Sequence, residues 1–474
     1  MPNVSRPDSP GPDVSGPDTS RPDVSRPDEE DLQAGRRVRA LVPRRSHARF
    51  EAPERDSVEI LAGQHTTREP ELVPVRIGRM LQSPFAYYRG AAAVMAHDLA
   101  RDPTTGYRVI ACGDAHLANF GLYASPERRL VFDLNDFDEA YPGPWEMDVK
   151  RLAASLWING RANGHPEMRC KDAAAASVRS YRTTVHRLCD LSVLERYYYQ
   201  VEAEALPKMA QQAARKARQR TSERVMGKLT TVTENGIQRI AEQPPLVRRP
   251  ANPDWDRLSG LFQEYRRTLR TDTALLLSQY SMVDCASRVV GVGSVGTRCF
   301  LFMLRGPSGD LLFMQSKEAG RSVLETHGKV APPPNSITQQ LTLNGNGFRV
   351  VAAQRVLQAQ SDPMLGWVRG VKGEDGIVRD HYLRQFRDMK GSLDLASLSP
   401  SAAETYGELC GELLARAHCQ SPGSRFLSGY LGNSDSFDVA VTTWAGRYAD
   451  QTEADHAALE EAVRVGRLEA LRDV

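Results

Sequence analysis

Carboxylates that flank two short apolar segments constrain this chain more than any other feature. The first segment ends in "CGDAHLANFG" (112–121), and the second lies in "LVFDLNDFDEA" (130–140). Around them stand the polar residues Asp114, His116, Asn119, Asp133, Asp136 and Asp138. Carboxylates beside a buried strand are costly unless a cation or a donor compensates them, so the cluster favours a functional site. The alternative is a pair of turns, in which Asp and Asn side chains bond to their own backbone.

The spacing within the cluster indicates phosphoryl transfer. Asp114 and Asn119 are five residues apart, as are the Asp and Asn of the kinase pattern HRDxxxxN. Such a carboxylate accepts the proton of the acceptor hydroxyl, and such an amide holds magnesium on the nucleotide phosphates. A second metal ligand is expected on the next strand and turn. Asp136 in "NDFD" has that position, with Asp133 and Asp138 as alternates.

A glycine-rich segment, "GVGSVG", contains Gly291, Gly293 and Gly296. A dinucleotide-binding loop of this pattern opens a helix, whereas the strand-like "TRCFLFML" follows here. A glycine loop between antiparallel strands, with a lysine on the third strand, is instead the kinase arrangement for holding phosphates. Lys317 in "FMQSKEA" has the position of that lysine. A plain hairpin turn with a solvated lysine remains the alternative.

The lysine of such a site normally pairs with a carboxylate from a following helix. Glu318 and Glu325 are candidates for this partner, and Gln354 is a polar substitute. None of the three stands out from the sequence alone.

Two of these motifs resemble a known enzyme class. "GDAHLANFG" with "DFDEA" is similar to the aminoglycoside and choline phosphotransferase branch of the kinase-like superfamily, whose loop reads HGDxHxxN. The resemblance implies that Asp114 is the base, His116 the loop histidine, Asn119 a metal ligand and Asp136 the DFG-type aspartate. The first histidine of HGD is absent, since Cys112 stands there.

A second resemblance covers most of the chain, from about Val42 to Gln451. It is to a bacterial family known only as a domain of unknown function, and it implies no established activity. The segments that carry it are "RIGRMLQSPFAYYRGAAAVMAHDLA", "CGDAHLANFG", "FDLNDFDEAYPGPWEMDVKRLAAS", "GVGSVGTRCF", "KEA" and "RQFRDMKGS".

The order of the motifs differs from that of kinases, where the glycine loop and lysine precede the catalytic loop. Here Asp114 precedes Gly291. Either the lobes are circularly permuted, or "GVGSVG" does not cover the nucleotide. A fold tolerates circular permutation when its chain termini lie close together at the surface. "GELLARAHC" resembles the helix that enters a catalytic loop, yet it follows the sheet segment, as a permutation would leave it.

Four segments are expected along the chain. Residues 1–35 repeat a five-residue unit rich in Pro, Asp and Ser, which predicts a disordered tail. A mainly helical lobe with the catalytic-loop motif is predicted for 36–283, and a small antiparallel sheet lobe with the glycine loop and Lys317 for 284–392. Residues 393–474 are expected to form helices that pack on the large lobe. We therefore predict an α+β fold of the two-lobed protein-kinase-like kind, with permutation as one interpretation.

The composition indicates the compartment in which the protein works and the kinds of partner it binds. The net charge of +2 gives no general affinity for nucleic acid. Seven scattered cysteines without a CxxC pair indicate a reducing compartment. No apolar run approaches the length of a membrane span. We expect a cytoplasmic protein that binds a nucleotide and an unknown acceptor. We expect it to bind neither nucleic acid nor a membrane. The sequence does not indicate the oligomeric state.

The predicted function is ATP- and Mg-dependent transfer of a phosphoryl group to a hydroxyl of an unknown small molecule or protein. A nucleotide-binding pseudokinase or scaffold is one alternative. A metal-dependent phosphohydrolase that uses Asp114, His116, Asp133 and Asp136 is another. Nucleotidyl transfer on the same fold would share every residue with the kinase interpretation.

Overall fold

Helices and short strands build the first part of the chain. The computed structural model describes residues 27–52, 54–219, 227, 229–333, 337–373, 375–386 and 389–472. The first helices are α1 (Pro27–Leu41), α2 (Ser57–His65), α3 (Val73–Met80), α4 (Pro84–Gly90) and α5 (Ala92–Leu99). The strands that follow are β1 (Arg108–Ala111), β2 (Phe120–Ala124), β3 (Leu130–Leu134) and β4 (Tyr141–Pro144). Since β1 pairs with β4 and β2 with β3, the loop 112–119 leaves one small sheet and enters another.

A buried helix, α6 (Trp145–Ala162), forms the centre of the helical part. Every residue from Trp145 to Gly160 is buried, as expected of a helix that is covered on all sides. Helix α7 (Glu167–Cys189) packs against it, and α8 (Val193–Tyr198) and α9 (Lys208–Arg218) follow. Because charged side chains on α6 are enclosed, each needs a partner within the protein.

An antiparallel sheet, which we call the main sheet, forms the second part. A hairpin of β5 (Thr230–Val232) and β6 (Gln238–Ile240) precedes it. Its strands are β7 (Val247–Arg248), β8 (Ser281–Arg288), β9 (Cys299–Arg305), β10 (Leu311–Ala319), β11 (Gly366–Lys372) and β12 (Val378–Gln385). Within the described residues it has six strands, in the order β11–β12–β10–β9–β8–β7. The helices between its strands are α10 (Trp255–Arg266), α11 (Thr271–Leu277), α12 (Val323–Thr326), α13 (Gln340–Leu343) and α14 (Asn346–Leu357).

The last helices return to the helical part. Helix α15 (Pro400–His418) packs on α7, α16 (Arg425–Leu431) on α1, and α17 (Ser436–Arg464) on α6. The α1–α16 contact is close, because a side chain at Gly35 would overlap the carbonyl of Phe426. Helix α1 begins at Pro27, inside the segment predicted to be disordered up to residue 35, and this packing gives it a buried face. The rest of that segment, 1–26, lies outside the described residues.

The α+β class is confirmed. Ser83 caps α4, since its side chain accepts a hydrogen bond from the Ala86 N–H at 3.0 Å. Helices α4 and α5 are separated at Ala91, whose backbone is not helical. In the part of the chain that the structure describes, no helix combines the length and apolar character needed to cross a bilayer.

Candidate active site

The loop that follows β1 is held by one carboxylate of α6. Gly113 has a φ of +77°, and a Cβ there would lie against the carbonyl oxygen of Glu139, so glycine suits this position. Asp148 accepts hydrogen bonds from the N–H groups of Cys112 at 2.6 Å and of Gly113 at 2.9 Å. Both backbone donors of the turn are therefore fixed just before Asp114.

Asp114 lies against a buried arginine. Its Oδ1 is 2.5 Å from Nε of Arg151, one turn beyond Asp148 on α6. Burial raises the pKa of Asp114 to about 7, although the charge of Arg151 opposes the rise. A carboxyl group with such a pKa gains and loses its proton near neutral pH, which suits a general base.

His116 is enclosed beside Asp114. Its Nδ1 accepts a hydrogen bond from the Ala118 N–H at 3.1 Å, and its Nε2 is 3.7 Å from Asp114 Oδ2. Burial, together with the nearby cations Arg151 and Arg89, holds the pKa of His116 well below its usual value. The imidazole is therefore neutral, and it contributes shape and polarity rather than charge.

Lys317 lies on β10 of the main sheet. Its side chain contacts the turn that follows β3. Its Nζ lies 2.8 Å from Asp138 Oδ2 and 3.8 Å from Asp136 Oδ2. Tyr382, opposite Lys317 on β12, donates its hydroxyl to Asp138 Oδ1 at 2.6 Å. Burial opposes the charge of the lysine, but the two carboxylates raise the pKa of Lys317 well above its ordinary value. The lysine is thus a fixed cation.

The two carboxylates of this turn, Asp136 and Asp138, differ in how accessible they are to a ligand. Although burial acts in the opposite direction, Lys317 and Tyr382 hold the pKa of Asp138 below its usual range. Asp138 thus has both oxygens engaged by protein donors. The side chain of Asp136 is 36% exposed and lines a cavity. Asp136 is therefore the more accessible of the two carboxylates, and its contacts, with Lys317 at 3.8 Å and with the Asp138 N–H at 3.4 Å, are longer than those of Asp138.

Asn119 lines the same cavity as Asp136. Its Nδ2 donates to the carbonyl of Asp114 at 2.7 Å, and no described residue donates to its Oδ1. Among the described residues, no three His, Cys, Asp or Glu side chains form a metal site. An amide oxygen and one carboxylate nevertheless suit magnesium, which binds through one or two protein oxygens and takes phosphates and waters for the rest.

The cavity has a volume of about 1170 Å³, enough for more than one small ligand. The acidic residues among its described lining are Asp136 and Asp362. The basic residues in the same lining are Arg128, Lys216, Arg288, Lys317, Arg384 and Lys390. This excess of positive charge favours an anionic ligand.

The glycine loop lies over the site and is anchored to the helical part. Gly291 and Ser294 line the cavity, and the Ser294 hydroxyl is 3.5 Å from Asp138 Oδ2. Arg79 donates to the carbonyl of Gly291 at 2.6 Å, and the Glu69 N–H donates to that of Gly296 at 2.8 Å. Gly293 is partly buried and lies close to the backbone of α4, since a Cβ there would be 3.3 Å from the carbonyl oxygen of Arg89.

Asp133 is not brought to the cavity. Its Oδ2 accepts from the Ala359 N–H at 2.7 Å and its Oδ1 from the Leu134 N–H at 2.8 Å. Burial raises the pKa of Asp133. Asp133 therefore connects β3 to the end of α14, and its oxygens are used by the backbone.

The three expected partners of Lys317 have other contacts. Glu318 pairs with Arg298 and Arg379 on the opposite face of the main sheet, because successive residues of a strand point to opposite sides. Glu325 pairs with Arg321. Gln354 lines the cavity but donates to Gln358.

Sequence reasoning missed Arg151, the partner of the central carboxylate. The available signal was its spacing from Asp148, because residues three apart lie on one face of a helix. Tyr382 was also missed, since only the pairing of β10 with β12 places it beside Lys317.

A comparison with protein families found a match over most of the chain. The family described as "Uncharacterized protein conserved in bacteria (DUF2252)" matches residues 68–462. The matched range includes Asp114, Asn119, Asp136 and Lys317 as well as the glycine loop. No curated protein and no solved structure matched the sequence.

Proposed function

The chain belongs to this family of uncharacterized bacterial proteins, and we propose that it is an ATP- and magnesium-dependent phosphotransferase with a circularly permuted, kinase-like arrangement of two lobes. One observation carries the proposal: Lys317 of the main sheet contacts Asp138, which is 179 residues away in the chain. The contact lies at a cavity that is also lined by Asn119, Asp136 and the glycine loop.

The end of α15 supports the permuted order. His418, the last residue of that helix, lies 3.2 Å from the Asp148 carboxylate that holds the Cys112–Gly113 turn. In an unpermuted kinase, the helix that enters the catalytic loop continues directly into it. Here the same two parts lie side by side in space, although about 300 residues separate them along the chain.

Each residue has a role in the proposed transfer. The acceptor oxygen forms a bond to the γ-phosphorus while the bond to the bridging oxygen breaks, and the electron pair leaves with ADP. Asp114 takes the proton of the acceptor hydroxyl. Asn119 and Asp136 hold magnesium, which when bound neutralises charge on the phosphates. Lys317 and the N–H groups of the glycine loop orient those phosphates.

The alternatives have less support. A phosphohydrolase would need Asp133 and His116 among its metal ligands, but Asp133 is engaged by two backbone donors and His116 is enclosed. A pseudokinase would bind nucleotide through the same residues and would differ from the proposed enzyme by forming no product. Nucleotidyl transfer uses the same residues and differs in its product.

Binding of Mg-ATP, measured by thermal shift, tests the proposal without a known acceptor. Ligand at about 100 times Kd stabilises the folded state by about 2.7 kcal/mol. We expect wild type to show this shift, and Asp136→Asn and Lys317→Met to lose most of it, each relative to its own ligand-free melting temperature. Glu127→Gln, an exposed carboxylate of the β2–β3 turn, is the control and should respond like wild type.

The outcome against the proposal is a wild type that ignores Mg-ATP, or an Asp136→Asn variant that binds it as wild type does. If Mg-ATP binds, analysis of the products after long incubation separates the transfer reactions. ADP is expected, whereas release of pyrophosphate would indicate nucleotidyl transfer.

A further inference from the structure

The face of the main sheet that borders the cavity carries a second cation close to Lys317. Arg384 on β12 lies opposite Gln315 on β10, and Lys317 follows Gln315 by two residues on the same strand. Residues two apart on a strand point to the same face of a sheet, and the side chains of Lys317 and Arg384 both line the cavity. Diagonal neighbours of this kind are roughly 7–8 Å apart in an antiparallel pair. The cavity wall therefore presents two positive charges one diagonal step apart.

The two cations differ in their partners. The charge of Lys317 is offset by Asp138 at 2.8 Å, whereas Arg384 forms no salt bridge with any described residue. The Nε of Arg384 donates to Oε1 of Gln315 at 3.3 Å, and its guanidinium lies 5.9 Å from the centre of the Tyr382 ring. Both of these partners are uncharged, so no ion pair within the described residues neutralises Arg384.

The outer end of the Arg384 guanidinium is accessible from the cavity. Its Nη1 and Nη2 have no acceptor among the residues that the structure describes, and neither nitrogen is enclosed. Asp362, an acid of the same lining, is used elsewhere, since it accepts the N–H groups of Met364 at 2.8 Å and of Gln385 at 2.6 Å. Because Gln315 engages Nε, the edge formed by Nη1 and Nη2 is the one that a ligand can use.

The chemistry of the two cations indicates an anion with more than one charged group. The planar fork of an arginine binds two oxygens of one phosphate, while a lysine ammonium acts as a point charge. A polyphosphate carries successive phosphates along one flexible chain, so it can contact both cations at once. The basic residues of the described lining outnumber the acidic ones by six to two, which favours such a ligand over one with a single charge.

We propose that Arg384 binds a phosphate group of the nucleotide next to the one that Lys317 orients, so that the polyphosphate lies along β10 and β12. The inference rests on the proposed function and deepens it, because it assigns recognition of the donor to its phosphates more than to its base. Gln315 is a positioning residue in this arrangement. Its amide holds Nε and thereby leaves the other two nitrogens of Arg384 to the ligand.

Binding of phosphate chains with and without a nucleoside tests the inference. Thermal shifts are measured with Mg-ATP, with Mg-tripolyphosphate and with adenosine. In Arg384→Gln we expect the affinity for ATP and for tripolyphosphate to fall by about 10-fold or more, because hydrogen bonds to charged groups have that value. Any response to adenosine should be unchanged. Arg384→Lys keeps the charge without the fork and should lie between the two. Arg305→Gln, an exposed arginine of β9, is the control and should respond like wild type.

Each variant is compared with its own ligand-free melting temperature. If Arg384→Gln weakened ATP and adenosine alike, the arginine would support the shape of the cavity, and the inference would be overturned. It is also overturned if Arg384→Gln binds Mg-ATP and Mg-tripolyphosphate as wild type does, which is the result expected if the arginine holds an anionic group of the acceptor instead. Both results leave the proposed function standing. A wild type that ignores Mg-ATP contradicts the proposed function itself.

Discussion

At the scale of single residues, the proposed chemistry depends most on whether Asp114 is protonated. Burial raises its pKa to about 7 even though Arg151 is in contact. At neutral pH the group is therefore divided between an acid and a base. Its activity as a base should increase with pH through this range, and removal of the Arg151 charge should shift the dependence to higher pH.

Folding stability gives a direct measure of this pKa. Since the pKa of Asp114 is higher in the folded than in the unfolded protein, the folded state holds the proton over a range in which the unfolded chain has lost it. Stability therefore falls as pH rises through the folded-state pKa, by about 2.6 kcal/mol for this one group between about pH 5 and pH 8. Asp114→Asn should reduce the fall by that amount in urea unfolding at several pH values. Equal slopes for variant and wild type would mean that Asp114 titrates normally.

Sequence patterns could identify the parts of the site that are close together in the chain. Asp114 and Asn119 were found by their spacing, and Asp136 by its position after the next strand. The expectation that Asp133 binds a metal has no support in the structure, because the backbone of α14 approaches it only in the folded protein. For the same reason, the sequence did not indicate that Lys317 pairs with Asp138 rather than with a following glutamate.

At the scale of elements, two helices hold the loop 112–119, which carries the proposed base. Asp148 of α6 binds the turn, and His418 of α15 lies between Asp148 and Tyr181, whose hydroxyl is 2.8 Å from the histidine Nδ1. This chain of contacts sets the distance between α6, α7 and α15. The loop therefore depends on helices whose own packing is extensive.

Asp148→Asn tests this support. The amide has a single oxygen, so one of the two backbone N–H groups loses its acceptor, and we expect a loss of about 1–3 kcal/mol in the free energy of unfolding. Chemical denaturation measures this. Asp172→Asn, on α7 and paired with Arg169 one turn before it, should change stability by less than about 0.5 kcal/mol. Equal losses in the two variants would contradict the special role of Asp148.

Local signals explain which element boundaries were predictable. The start of α4 is marked by a serine cap and a proline, which act within a few residues. Strand β2 has no such local signal, because "FGLYA" becomes a strand through its pairing with β3 and its bridge from Leu122 to Gly391. Strand β11 likewise depends on its pairing with β12, in which a bulge lies between Val368 and Val371.

At the scale of the whole molecule, a buried ion-pair cluster joins distant parts of the chain. Arg55 binds Asp98 of α5 and Asp455 of α17, and all three side chains are nearly inaccessible. The Tyr448 hydroxyl also donates to Asp98, at 2.9 Å. The cluster connects α5 and the segment before α2 to α17.

Arg55→Met should therefore be strongly destabilising. Removal of the arginine leaves two carboxylates buried without a cation, and losses of about 3–5 kcal/mol follow from breaking such pairs. Unfolding by denaturant measures the change. Arg464→Met removes an exposed pair with Glu461 at the end of α17 and should cost at most about 1 kcal/mol. A small effect of Arg55→Met would mean that water reaches the cluster.

The position of α15 beside the catalytic loop has a consequence for biosynthesis. The ribosome makes the loop early, but Lys317 and then His418 emerge much later, and chains fold from their N-terminal side as they appear. A nascent chain can therefore contain Asp114, Asn119 and Asp136 before Lys317 and the end of α15 have been made. Such a chain lacks the contacts that these two later parts provide. We expect ribosome-bound or prematurely terminated chains that lack Lys317 and α15 to be unable to use nucleotide, so that the proposed activity begins only after α15 has emerged.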